Sequence, residues 1–225
     1  MPKKVSIIII NYNNDYNIRG CLESVLGQNN RNKLDIEIIV VDSGSSDESV
    51  KLIREYRDKG LAKAIFNNKR DKCPWSPSLS RNIGAREAKG EILLFTDSDC
   101  IVFSDWVEKM LMNFDKRDIA CVFGGKDPDI GQGLGAFYRR LYTLIYSRKF
   151  RWFKKIYLNK DTIRKIASFI LMASNNMAIK KKVWLRVGCM NELFSNPAGE
   201  DVILEFKLIK SGYTMPSPIF QTANG

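Results

Sequence analysis

Glu91-Ile-Leu-Leu-Phe-Thr-Asp-Ser-Asp-Cys100 joins a four-residue apolar run, Ile92 to Phe95, to two carboxylates. Continuous rather than alternating hydrophobicity suits a strand of a parallel sheet covered on both faces. The run ends abruptly in Asp97-Ser98-Asp99. Both carboxylates therefore lie just past the carboxyl end of a strand, where open α/β sheets bind ligands. Hard oxygen donors suit Mg²⁺ or Mn²⁺, which one or two carboxylates commonly hold while substrate phosphates complete the shell. A lone Asp-X-Asp also describes a plain polar strand-to-helix turn, so its meaning depends on its surroundings.

Working toward the N-terminus, Val5 to Ile10 reads as a strand opening into Asn11-Tyr12-Asn13-Asn14-Asp15. Ile18, Leu22, Val25 and Leu26 then repeat at helical spacing. A second run, Ile36 to Val41, ends in Asp42-Ser-Gly-Ser-Ser46, and Asp47-Glu48 are expected to start a helix, with acids where the dipole favours them. Val50, Ile53, Tyr56 and Leu61 are its expected buried side. Ala62 to Phe66 is a third, short strand. Ser78 to Lys89 reads as a helix closed by Gly90 at its C-cap. Beyond Asp99, Ser104 or Asp105 caps a helix carrying Trp106, Val107, Met110, Leu111 and Phe114, and Ile119 to Phe123 is a fifth strand. Strands alternating with helices predict right-handed crossovers and a doubly wound, mainly parallel α/β sheet. Asn11, Asp42 and Asp97/Asp99 then share one sheet edge, and three polar clusters converge on one cleft.

The second half has a different pattern. Gly124-Gly125 and Gly131 to Gly135 form a glycine-rich connection without the lysine and spacing of a P-loop. Residues 134–158 are basic, aromatic and free of acids, with Phe137, Leu141, Ile145, Trp152 and Ile156 near helical spacing. Such a helix suits an anionic membrane surface, and equally a core-packed helix with a solvated basic face. Ala173 to Ile179 reads as an antiparallel strand and Lys180 to Val187 as a short helix. Glu200-Asp201 opens a helix over Val202 to Lys210, a position that capping alone would explain.

At 225 residues the chain is expected to form a single domain, with its pattern changing near residue 125 between a first half, about 1–125, and a second, about 126–225. The absence of histidine excludes Ser-His-Asp and Cys-His chemistry and leaves acid–base work to carboxylates. Five scattered cysteines without a C-x-x-C pair read as idle thiols in a reducing compartment. The run Val5 to Ile10 is too short for a signal peptide, and no apolar run reaches membrane-spanning length. A net charge of +11 points to an anionic partner. Nucleic acid is not favoured, because no recognisable binding module accompanies the charge.

Five elements in order, Ile7-Ile-Ile-Ile-Asn-Tyr-Asn13, Val40-Val-Asp-Ser-Gly-Ser-Ser-Asp47, Ser80-Arg-Asn-Ile-Gly-Ala-Arg-Glu-Ala-Lys-Gly90, Thr96-Asp-Ser-Asp99 and Gly199-Glu-Asp201, resemble the inverting family 2 glycosyltransferases of the GT-A fold. The resemblance implies metal-dependent transfer of a sugar from a nucleotide-diphosphate sugar, with uridine the favoured base, to an acceptor hydroxyl. Asn11 and Tyr12 would line the base, Asp42 would contact it, and Arg81 would approach the base or the diphosphate. Asp97 would hold the ribose or a metal-bound water, Asp99 the metal, Asp201 would be the general base and Glu200 its acceptor-side neighbour. The implied setting is polysaccharide or glycoconjugate assembly in the cytoplasm or peripherally at the inner face of the membrane, with a saccharide or lipid-linked acceptor. The Q-x-x-R-W element associated with processive synthases is absent, as is the histidine that some GT-A enzymes add to the metal.

The residues fit this chemistry independently. A diphosphate leaving group needs neutralising, and a hydroxyl attacking an anomeric carbon needs a base. A nucleotidyltransferase would carry a glycine-rich basic signature after the first strand, where Asn11 to Asp15 has no basic residue. A catalytically idle scaffold that binds nucleotide or anionic lipid is the alternative from another class.

Overall fold

The computed structural model describes residues 4–29, 34–67, 76–115, 119–124, 174–192 and 200–213. In chain order these form β1 (Lys4–Asn11), α1 (Ile18–Leu26), β2 (Asp35–Asp42), α2 (Ser49–Asp58), β3 (Lys63–Phe66), α3 (Pro77–Glu87), β4 (Ile92–Asp97) and α4 (Trp106–Leu111). A 3₁₀ turn (Met112–Asp115), β5 (Cys121–Phe123), β6 (Asn176–Lys180), α5 (Lys181–Arg186) and α6 (Glu200–Lys210) complete the order. The basic aromatic stretch 134–158 and most of the glycine-rich connection lie outside the described residues. Among the described residues, no helix is long and apolar enough to cross a membrane.

The strands form one mixed sheet in the order β3-β2-β1-β4-β6-β5. β1, β2, β3 and β4 are parallel, and β6 runs antiparallel to both β4 and β5. Continuous apolar runs produce this arrangement because side-chain direction alternates along a strand. Ile7, Ile9, Val40 and Leu94 face the layer of α1, α2 and α4. Ile8, Ile10, Val41, Leu93 and Phe95 face α3, α5 and α6. On that second face Phe95 stacks on Trp184, with ring centroids 4.8 Å apart.

Register carries the functional consequence. Asn11 pairs with Asp42, and Ile10 with Asp97. The three polar strand ends therefore share the carboxyl edge, as the apolar runs imply. β6 begins at the same edge, with Asn176 opposite Thr96.

Several local expectations change. α2 begins at Ser49, so Asp47 and Glu48 precede it, and its buried side is Ser49, Leu52, Ile53 and Tyr56. Val50 is half-buried and Leu61 exposed. A helical face is about three residues wide, and Leu52 fits it better than Val50. The fifth strand is shorter than expected, Cys121–Phe123, and sits at the sheet's far edge.

Gly90 is not a helix cap. α3 ends at Glu87, with Ala88 as its cap in extended conformation. Gly90 instead lies against the amino end of β1, where its N–H donates to Ser6 Oγ at 2.7 Å. A Cβ there would lie 2.5 Å from Ser6 N and 2.8 Å from Val5 C. Backbone cannot step aside as a flexible side chain can. Gly90→Ala is therefore expected to lower unfolding free energy by about 1–3 kcal/mol, the usual cost of overpacking. At roughly 2–4 °C per kcal/mol for a chain this size, thermal denaturation should resolve the shift.

Candidate functional site

The first wall of the site is built by the loops after β1 and β2. Asn11 is fully buried, and its Nδ2 donates to Asp42 Oδ2 at 2.9 Å and to Ser49 Oγ at 3.0 Å. Asp42 Oδ1 accepts the backbone N–H groups of Gly44 and Ser45, both at 3.0 Å. A short polar side chain that caps its own turn is the reason Asp is favoured there. Asn13 stands at φ 45°, a left-handed conformation that Asn tolerates, and its Oδ1 accepts Ser46 N–H at 2.8 Å. Asp47 Oδ2 accepts Asp15 N–H at 3.0 Å, closing the two loops on each other. Tyr12 is half-buried beside Asn11. Asn11 and Asp42 thus shape the wall from inside, and Asn11 Oδ1 is buried with no hydrogen-bond partner among the described residues.

The floor is α3. Pro77 occupies its first turn and the Ser76 hydroxyl accepts Leu79 N–H, which starts the helix just ahead of Ser80-Arg81-Asn82. Gly84 lets it lie close on Ile8 and Val41 of the sheet. Ser80 Oγ is 2.6 Å from Ser43 Oγ in the loop after β2. Arg81 Nη2 donates to Asp97 Oδ1 at 2.8 Å, and Nη1 lies 3.7 Å from Glu200 Oε1. Its side chain is 3% exposed. Arg81 Nε and Nη1 make no hydrogen bond among the described residues.

Around this guanidinium the acidic residues gather. Burial pushes the Asp97 carboxyl up from its ordinary value; Arg81 opposes this, while the charges of Asp99 and Asp201 push it further up. Glu200 is raised by burial first, then by Asp201, with Arg81 again opposing. Asp99 is exposed, and Asp201 is half-buried with Oδ1 unpartnered among the described residues. The loop carrying Asp97 and Asp99 is pinned by Ser98 N–H to Ile10 O at 3.0 Å and by Asn14 Nδ2 to Ser98 Oγ at 2.9 Å. Beside it, burial pushes the Cys100 thiol up to about 11, so it stays protonated and idle near neutrality.

No group of three or more metal-ligating side chains is preassembled among the described residues. The donor set nevertheless fits a hard divalent cation, which needs only one or two carboxylates when phosphates and water fill the shell. Among the described residues Asp97, Asp99, Glu200 and Asp201 gather near the Arg81 guanidinium, and added positive charge there would offset the repulsion that helps to raise Asp97 and Glu200.

The residues that the sequence singles out, Asn11, Asp42, Arg81, Asp97, Asp99, Glu200 and Asp201, therefore fall on one sheet edge and the helix ends beside it. Ser80 and Asn82 belong to the site as well, and sequence reasoning misses them. They flank Arg81, but each acts on a partner remote in sequence, Asn82 at a separation of 108 residues. Spacing along α3 carries no trace of such a partner.

Glu200 yields a stability test. Its folded pKa is raised, so the stability it contributes is fully present below the usual glutamate value of about 4.3 and is lost as pH rises through the folded value. In urea unfolding, wild type minus Glu200→Gln should therefore become less favourable on going from pH 4 to pH 7. A difference that grows with pH would contradict this placement of Glu200.

The model of a family described as glycosyl transferase family 2 matches residues 6–184. An uncharacterized glycosyltransferase of Haemophilus influenzae is 34% identical over 107 residues, covering 48% of this chain and 40% of that protein. A poly(ribitol-phosphate) beta-glucosyltransferase of Bacillus spizizenii is 34% identical over 123 residues, covering 55% of this chain and 19% of its own. The chain thus spans well under half the length of these relatives. Among solved structures, a mannosyltransferase of Pyrobaculum calidifontis in complex with GDP-Man and Mn²⁺ has a TM-score of 0.71 at 20% identity, over all of this chain and 58% of that one. Staphylococcus aureus TarS 1-349 with UDP-GlcNAc has a TM-score of 0.65 at 16% identity, over 99% of this chain and 60% of that one. The matched span runs from β1 to within α5 and takes in both the Asp97/Asp99 loop and Arg81, and on that basis the protein belongs to glycosyltransferase family 2, with a GT-A-like fold.

Proposed function

We propose that the chain transfers a sugar from a nucleotide-diphosphate sugar to an acceptor hydroxyl, with inversion at the anomeric carbon. The observation that carries this reading is the bridge Asp97–Arg81–Glu200, which draws the donor-side and acceptor-side carboxylates to one place. The donors named for the structural relatives, GDP-Man and UDP-GlcNAc, are of the same class. The polymer acceptor named for the Bacillus relative supports glycoconjugate or polysaccharide synthesis as the setting.

Each residue has a role consistent with its surroundings. The loops held by Asn11 and Asp42, with Tyr12 at their side, receive the base. Arg81 keeps two buried nitrogens without hydrogen bonds among the described residues, suited to diphosphate oxygens once a donor is present. Asp99 and Asp97 would hold Mn²⁺ or Mg²⁺, which when bound supplies Lewis-acid neutralisation of the leaving diphosphate. Asp201 takes the proton from the acceptor hydroxyl, and its buried Oδ1 has no hydrogen-bond partner among the described residues that would compete for it. The hydroxyl oxygen bonds to the anomeric carbon as the bond from that carbon to the phosphate oxygen breaks. One displacement from the opposite face inverts the configuration, with no covalent enzyme intermediate.

Two measurements test this reading. Asp201→Asn keeps size and polarity but accepts no proton, so turnover should fall about 10²–10⁴-fold, the usual contribution of a positioned base. Donor-nucleotide binding should stay within twofold of wild type; wild-type turnover in this variant would remove Asp201 from the base role. Titration calorimetry with UDP, GDP and TDP, each with and without Mn²⁺, should show one nucleotide whose binding needs the metal and is lost in Asp99→Ala. Binding indifferent to both metal and Asp99 would remove the metal role.

A further inference from the structure

Two neighbouring residues of α3 grip the acceptor side. Arg81 reaches Glu200 at the start of α6. Asn82, 4% exposed, saturates its amide on the turn before α6: Nδ2 donates to Met190 O at 3.0 Å and Glu192 Oε1 at 2.9 Å, and Oδ1 accepts Met190 N–H at 3.1 Å. The same turn is held from its other side by α6 itself. Lys207 Nζ donates to Cys189 O at 2.9 Å and to Gly188 O at 3.3 Å.

The turn is a strained one. Gly188 at φ 77° and Cys189 at φ 56° are both left-handed, and Cys189 gains nothing from glycine's freedom there. Such backbone persists only where the surroundings over-determine it. Here the surroundings are the end of α5, whose Leu185 O and Trp184 O accept Gly188 N–H at 3.1 Å and Cys189 N–H at 3.0 Å, with Lys207 on the carbonyls of 188 and 189 and Asn82 on Met190 and Glu192 just beyond. α6 is therefore referenced to α3 twice: directly at Glu200 through Arg81, and further along through Lys207, the 188–192 turn and Asn82. Asp201 lies between those anchors.

We infer that Asn82 is a positioning residue: through the 188–192 turn it sets where the amino end of α6, and with it Asp201, stands relative to the donor site. This rests on the proposed role of Asp201 and goes beyond it, since the Asn82 amide is spent on Met190 and Glu192. Its contacts are specific in polarity. An aspartate of the same shape would set a carboxylate against Met190 O and the Glu192 carboxylate, so the turn would be pushed away rather than held. Donor binding depends on other residues of the site, Asn11, Asp42, Arg81 and the Asp97/Asp99 loop, and should not feel this change.

The test compares wild type, Asn82→Asp and Asn82→Asp/Glu192→Gln, in which a glutamine amide can donate to the new carboxylate. Turnover, donor-nucleotide binding by calorimetry and backbone hydrogen exchange are measured together. Asn82→Asp should lose at least tenfold in kcat, with nucleotide affinity and donor KM within twofold of wild type. Exchange should rise in 188–192 and at the start of α6 but not in β1 or β2, and the double variant should recover at least threefold in kcat. Unchanged exchange at α6, or nucleotide affinity falling in step with kcat, would overturn the inference. The exchange readout does not need turnover, so an inactive wild type would remove the proposed transfer reaction and leave the positioning of α6 still decided by the exchange result.

Discussion

The Arg81 guanidinium is the interaction on which the site depends. It is almost wholly buried, it reaches Asp97 at 2.8 Å, and it lies 3.7 Å from Glu200. A buried cation is tolerated only with paired charges, and removing one partner of such a pair commonly costs about 3–5 kcal/mol. The Asp97 side chain keeps 30% of its surface exposed, so that arm of the bridge is screened more than the Glu200 arm. The same guanidinium restrains the carboxylates chemically. It opposes the rise in pKa that burial and mutual repulsion produce in both Asp97 and Glu200. One cation thus holds together, and keeps nearer to ionised, a set of acids that would otherwise repel.

The sheet makes this arrangement possible by register. Parallel pairing of β1 with β2 and β4 brings three polar strand ends to one edge, and the reversed β6 starts from that edge too. α3 lies across the second face because Gly84 permits close approach to β1 and β2, and Gly90 lets the chain re-enter against the amino end of β1. These two glycines answer to space rather than to backbone conformation. Their consequence is that Ser80, Arg81 and Asn82 reach three different walls: the loop after β2, the end of β4 with the start of α6, and the 188–192 turn.

Two kinds of polar residue coexist in the site. Asn11 and Asp42 spend their hydrogen-bonding capacity mainly on loops, so they define shape. Asp99 is exposed and Asp201 keeps Oδ1 without a hydrogen-bond partner among the described residues, which suits the cation- and proton-accepting roles proposed for them. Arg81 does both, with one nitrogen committed to Asp97 and two buried nitrogens without hydrogen bonds among the described residues.

Much of this is legible in the residues themselves. Unbroken apolar runs such as Ile7 to Ile10 and Ile92 to Phe95 dictate buried parallel strands, because both faces of such a strand must be covered. Topology alone then places the polar residues at the end of each run on the carboxyl edge, which is why Asn11, Asp42, Asp97 and Asp99 can be named from the sequence. The lack of histidine leaves carboxylates as the acid–base groups. Local periodicity is less secure where one residue shifts a face, as with Leu52 and Val50, and where a glycine serves close packing rather than a cap, as with Gly90. Only the tertiary structure decides that Arg81 bridges Asp97 to Glu200 and that Asn82 grips a turn 108 residues away. Those contacts depend on how α3 sits on the sheet. Helical spacing determines which side of α3 each residue occupies, but the partner it meets there is set by packing between segments far apart in the chain.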